Sequence, residues 1–287
     1  ISKTPSPSFI AGNVGMAPPE ADGRRANLRR RVLSALVLAP LALAAILLGS
    51  PWFDLLVLAA AGVLAWEWAR LVGEGRSGAV GLLLVGCVLL VVGASLAWSS
   101  VIGITAAGIA AAILFGTIAA LGGRHPAWIA AGLVYISLPC IAILWLRARP
   151  ATGLDLVVWL MLVTWAADTG AYFVGRSVGG PRLAPRVSPG KTWSGFLGGL
   201  AAAAITAGFY AALRGADDAF AATLAGLLLG LAAAGGDLLE SATKRRFHVK
   251  DAGAIIPGHG GLFDRVDGLL LAIVATAALT LLGWELL

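Results

Sequence analysis

The sequence predicts an all-α, polytopic membrane protein with about nine transmembrane helices. Three observations predict it. Of 287 residues, 59% are hydrophobic and only 13% are charged, against about 45–50% and roughly 25% in soluble domains. The mean hydropathy is +0.89. The apolar residues also form long runs, close to the roughly 20 residues that a membrane helix needs. A water-soluble fold of this size could not hide so much apolar surface.

Residues 1–31 form a basic N-terminal arm rich in Pro, Gly, Ser and Ala, and are expected to be disordered. The chain opens on Ile1, which makes Met16 a candidate start. Arg24, Arg25, Arg29, Arg30 and Arg31 precede an apolar run from Val32 to Leu48. That order imitates a signal peptide, but the run is long and no small-residue cleavage site follows it. An uncleaved first span is expected.

Residues 32–150 are expected to hold the N-terminal transmembrane helices, at 32–50, 52–72, 79–98, 101–121 and 126–146. Residues 151–287 are expected to form a C-terminal catalytic region with spans at 154–175, 193–213, 219–240 and 262–286. Tight connections such as Gly49-Ser50-Pro51 and Ser99-Ser100 force neighbouring spans to run antiparallel. Cys87 and Cys140 both lie in apolar runs. Neither a disulfide framework nor a zinc site is expected.

Cytoplasmic loops carry an excess of Lys and Arg. With the N-terminal arginines inside, the same face receives Arg70, Arg76, Arg124, the basic stretch 176–191 and the cluster Lys244 to Lys250. Arg147 and Arg149 argue against this placement. The net charge of +6 is thus concentrated on one membrane face, where anionic headgroups would be attracted.

The first half carries little recognisable chemistry. Glu67, inside Trp66-Glu67-Trp68, reads as an interfacial anchor or a hydrogen-bond partner within the bundle. The second half differs. An ionised Asp near a bilayer centre costs about 2.5–3.5 kcal/mol on insertion scales, so such residues usually mark a site. Asp168 lies in the apolar run 156–174. It either pairs with a cation from another span or lines the site.

A long loop follows, through Gly179-Gly180-Pro181-Arg182 to Ser188-Pro189-Gly190-Lys191-Thr192-Trp193. Its cations, glycines and hydroxyls suit a flexible phosphate-binding segment. Lys191 and Thr192 stand where the next helix begins, and a helix N-terminus attracts phosphate. The Gly-Lys-Thr run is superficially similar to a P-loop, but Pro185 occupies the position of the first required glycine and no strand is expected before it.

The densest chemistry runs from Gly235 to Asp267. Asp237, Glu240, Ser241 and Lys244 fall at i, i+3, i+4 and i+7, which places them on one helical face. The chain then leaves the membrane through Lys250-Asp251 and a Gly/Pro loop containing His259. It re-enters with Asp264-Arg265-Val266-Asp267. Carboxylates on two facing helix ends would repel at low dielectric unless a cation sat between them. Hard oxygen ligands select Mg²⁺ or a similar ion. With neighbouring lysines and arginines, these are the parts for phosphoryl or nucleotidyl transfer.

These residues resemble the phosphatidate cytidylyltransferases, or CDP-diacylglycerol synthases. The matching signature is Ser241, Lys244-Arg245, Lys250-Asp251, Pro257, His259-Gly260-Gly261, Asp264-Arg265 and Asp267. Thr243 departs from it, standing where the family usually has an aliphatic residue. Asp168-Thr169-Gly170-Ala171-Tyr172 and Ser188-Pro189 with Lys191-Thr192-Trp193 are also similar to family segments.

The resemblance implies attack by a phosphatidic acid oxygen on the α-phosphorus of CTP, releasing pyrophosphate at a cytoplasmic active site. It implies Mg²⁺, with a monovalent cation such as K⁺ in at least some members. By position, Asp237 and Asp264 would bind metal, and Ser241 and Asp267 would organise the site. Lys244, Arg245 and Arg265 would bind phosphates, and Lys191, Thr192, Lys250, His259 and Asp168 would line the substrate site. The implied partners are CTP, phosphatidic acid and membrane lipids, with no nucleic acid and a homodimer as the candidate assembly. Two rivals share parts of the pattern: a CTP-dependent polyprenol or phytol kinase, and an ion-coupled transporter, which would show internal repeats and discontinuous helices.

Overall fold

The computed structural model describes residues 36–73, 78–216, 218–249, 251–253, 255, 260–284 and 286–287. The expected N-terminal arm, Lys250 and His259 lie outside the described residues. Helix α1 spans Leu36–Leu48. It is followed by α2 (Trp52–Val72), α3 (Gly78–Ala97), α4 (Ser100–Ala120), α5 (Pro126–Arg147) and α6 (Gly153–Val178). Then come β1 (Arg182–Ala184), β2 (Ser188–Thr192), α7 (Trp193–Leu213), α8 (Ala219–Arg246) and α9 (Phe263–Leu281).

The all-α class and the succession of helices are as expected. Among the described residues, the seven helices α2 to α8 are long and apolar enough to cross a membrane. The described part of α1 is shorter, and α9 opens on Asp264, Arg265 and Asp267. Side chains such as Leu90 (75% exposed) and Ile113 (62% exposed) on α3 and α4 point out of the bundle. Such a surface is at ease only in hydrocarbon, where helices satisfy their own backbone groups.

The packing falls into two linked groups. Helices α2 to α5 contact one another, while α6 packs on α7, α7 on α8 and α8 on α9. Helix α5 also reaches α9 and joins the two groups. The α6–α7 contact is built from small residues. A β-carbon at Gly170 would stand 2.6 Å from Ala202 Cβ and 2.9 Å from the Gly198 carbonyl, and Gly175 lies against Gly195. Lipid supplies no hydrophobic drive for helices to associate, so close backbone approach through small residues takes its place.

The loop between α6 and α7 departs from the expected flexible segment. It folds as an antiparallel two-stranded ribbon pairing Arg182 with Thr192 and Ala184 with Ser188. A strand therefore does precede α7, contrary to expectation, although Pro185 still excludes the P-loop pattern. Arg147 also gains an explanation. Its Nε donates to the Ile46 carbonyl at 2.9 Å, at the C-terminal end of α1, where a cation complements the helix dipole.

Candidate active site

At 28 residues, α8 is about 42 Å long at 1.5 Å per residue, well beyond the roughly 30 Å hydrocarbon core. Its polar end, Asp237 to Arg246, can therefore reach the interface. The first turn of α9 and the ribbon before α7 lie at that same end, since Lys244 pairs with Asp264 at 3.0 Å and Arg245 Nε donates to the Val187 carbonyl at 3.4 Å.

The crossing of α8 over α9 depends on two glycines. A β-carbon at Gly236 would stand 2.5 Å from the Asp267 carbonyl, and one at Gly268 would stand 2.9 Å from the Ala233 carbonyl. This close approach brings the carboxylates that follow Gly236 up to the one that precedes Gly268. One carboxylate oxygen from each of Asp237, Glu240 and Asp267 lies within 4.8 Å of the others. Oxygens on opposite sides of a Mg²⁺ ion stand about 4.2 Å apart. Three hard oxygen donors at this spacing fit such a cation with little rearrangement.

Two lysines border the cluster. Lys191, at the end of β2, meets Asp237 Oδ2 at 2.5 Å. Lys244 meets Glu240 Oε1 at 2.6 Å and Asp264 Oδ1 at 3.0 Å. Glu240, only 2% exposed, had appeared in the sequence on the α8 stripe without a role. Ser241 Oγ is 3.5 Å from Asp237 Oδ1, a long contact. Thr192 caps α7 by accepting from the Gly195 amide at 3.1 Å. Asp168, Lys191, Thr192 and Asp237 line one cavity, whose other walls include Gly199, Leu200 and Ala233. Polar side chains thus meet apolar walls in this cavity.

Asp264 is not a member of the three-carboxylate cluster. Besides Lys244, its oxygens accept from the Ala252 amide at 3.2 and 3.3 Å and from the Gly261 amide at 3.1 Å. Arg265 is exposed one residue further on. Helices α6, α8 and α9, which carry Asp168, Asp237, Glu240, Asp264 and Asp267, each run without a break. The discontinuous helices expected of a transporter are thus not seen among these three.

Three contributors were not legible as part of the site. Gly236 and Gly268 read as ordinary small residues, and Glu67 belongs to α2, some 195 positions before the loop that it contacts. In the structure Glu67 is fully buried and accepts from the Leu262 amide at 3.0 Å and the Phe263 amide at 2.7 Å.

A model of the cytidylyltransferase family matches residues 29–282 of the chain. The phosphatidate cytidylyltransferase of Brucella melitensis is 39% identical over 264 residues, covering 90% of this chain and 93% of the relative. That of Pseudomonas aeruginosa is 38% identical over 275 residues, covering 90% and 98%. That of Bacillus subtilis is 30% identical over 256 residues, covering 86% and 95%.

Proposed function

The chain belongs to the cytidylyltransferase family, and from that premise we propose that it is a phosphatidate cytidylyltransferase, converting CTP and phosphatidic acid to CDP-diacylglycerol and pyrophosphate. The observation that carries this reading is the convergence of Asp237, Glu240 and Asp267 between Lys191 and Lys244. Nucleotidyl transfer between two phosphates needs a cation site, positive charge around it and access for a lipid.

Asp237 is the first residue we assign to a Mg²⁺ ion, with Glu240 and Asp267 beside it. Asp264, paired with Lys244 beside Glu240, is assigned as a further ligand once that lysine turns to a phosphate. When bound, Mg²⁺ supplies Lewis-acid activation and a template for the α-phosphate. Lys191 and Lys244 neutralise carboxylates in the structure, and the phosphates of CTP offer them stronger partners. Arg245 and Arg265 would add charge on the pyrophosphate side. The nucleophile is already an anionic phosphate oxygen, so no general base is required. Positioning and charge compensation carry the rate. The bond formed joins that oxygen to the α-phosphorus, and the bond broken releases pyrophosphate.

The reading makes the chain an integral protein of a bacterial-type inner membrane, with its site on the cytoplasmic side. Support comes from Arg182, Lys191 and the run Lys244 to Arg246 gathering at the carboxylate end of the bundle. A K⁺ ion remains part of the proposal through the family resemblance alone. The test is to supply purified protein in micelles with phosphatidic acid, CTP and Mg²⁺ and to analyse the products by mass spectrometry. CDP-diacylglycerol and pyrophosphate in equal amounts are expected, and their absence with folded protein would overturn the reading.

A further inference from the structure

Glu67 sits far from the catalytic region in sequence but inside it in space. It lies in α2, fully buried, and its two oxygens accept separately from the Leu262 and Phe263 amides at 3.0 and 2.7 Å. Those amides open α9. Leu262, the residue before the helix, has no side-chain cap of its own, and the first amides of a helix need acceptors from elsewhere. A carboxylate there also complements the positive end of the helix.

Gly253 and Gly261 press on the same carboxylate. A β-carbon at Gly253 would stand 2.5 Å from Glu67 Oε1, and one at Gly261 would stand 2.9 Å from it. Only glycine allows both loop segments to press on Glu67. The residues at this pinch then hold Asp264, which accepts from the amides of Ala252 and Gly261. Asp264 in turn holds Lys244 at 3.0 Å, and Lys244 holds Glu240. Trp68, next to Glu67, packs edge-on against Phe263 with ring centroids 5.6 Å apart, which keeps α2 and α9 in register.

We infer that Glu67 is a positioning residue for nucleotidyl transfer: a long-range cap from the N-terminal helices that sets the loop before α9 and thereby aims Asp264 at Lys244. The inference rests on the proposed activity for its kinetic consequence, but the clamp itself is independent of it. In a bilayer this device is economical, because a buried carboxylate satisfied by two amides and a helix end needs no counter-ion at that point.

The test compares the full-length wild type with Glu67→Gln, Glu67→Ala and Gly253→Ala, using amide hydrogen exchange and steady-state kinetics. Glu67→Gln is isosteric and keeps one acceptor oxygen, so it should fold. Gly253→Ala perturbs the clamp from the loop side. The expected result is faster exchange at Leu262, Phe263, Ala252 and Gly261 in all three, with the rest of the bundle unchanged. The kinetic counterpart is a fall in kcat of about tenfold to a hundredfold, with little change in KM for CTP and a higher Mg²⁺ concentration for half-activation. Glu67→Gln should lie between wild type and Glu67→Ala. Unchanged loop exchange in Glu67→Gln and Gly253→Ala would overturn the inference. So would losses that merely follow a lowered Tm across the whole bundle. An inactive wild type would count against the proposed activity, and the exchange data would still decide the clamp.

Discussion

Gly236 on α8 lies so close to Asp267 on α9 that a β-carbon added to it would stand 2.5 Å from the Asp267 carbonyl oxygen. That contact sets the separation between Asp237 and Asp267. Gly236→Ala must push the two helices apart, and overpacking of this kind costs about 1–3 kcal/mol. Turnover should fall by at least about tenfold, since a metal pocket tolerates little widening. Gly235→Ala is the control, because a β-carbon there meets nothing within 4 Å. Parallel assays of both variants at equal expression check this, with near-normal activity expected for the control.

In the proposed mechanism Lys191 bears on both substrate and cation. Its ion pair with Asp237 at 2.5 Å holds the ribbon against α8. Lys191→Met should raise KM for CTP by about tenfold or more, the scale of one lost charge-assisted contact to phosphate. The same variant should bind Mn²⁺ more tightly in the absence of nucleotide, because a cation competing for Asp237 has been removed. Electron paramagnetic resonance titration reads the second effect.

Asp264 accepts from two loop amides and from Lys244, so its charge organises three donors at once. Asp264→Asn keeps the shape and loses the charge. Turnover should fall by more than about a hundredfold, while membrane insertion and expression stay intact. Near-normal activity would contradict the role given to Asp264.

Chelation of divalent cations should abolish product formation, and Mg²⁺ or Mn²⁺ should restore it. The larger Ca²⁺ ion prefers more ligands at longer distances, and should restore little. Titration of each ion into chelator-treated protein, followed by the rate, checks the order.

Much of this site was legible from local spacing. The stripe of Asp237, Glu240, Ser241 and Lys244 needs only the helical period, and Thr192 stood at the expected helix start, where the structure has its hydroxyl capping α7. The positions of the spans followed from apolar run lengths. Contacts made across the fold were not legible in this way. Glu67 is satisfied by amides 195 and 196 positions later, and no local pattern announces an acceptor for another helix's first turn. The ribbon at Arg182–Ala184 and Ser188–Thr192 was hidden by Pro185, Pro189 and Gly190, residue types that usually signal loop, with Thr192 the one β-branched residue in its two strands. Gly236 and Gly268 carry meaning only once α8 and α9 are seen to cross.

A site that moves a cytidylyl group sends the α- and γ-phosphorus atoms of CTP to different products. Purified protein with phosphatidic acid and Mg²⁺ should be given CTP labelled at the α-phosphate in one reaction and at the γ-phosphate in another. The α-label should enter the lipid fraction and the γ-label should leave as pyrophosphate. A γ-label transferred to lipid, with CDP as the soluble product, would contradict the account and identify a lipid kinase instead.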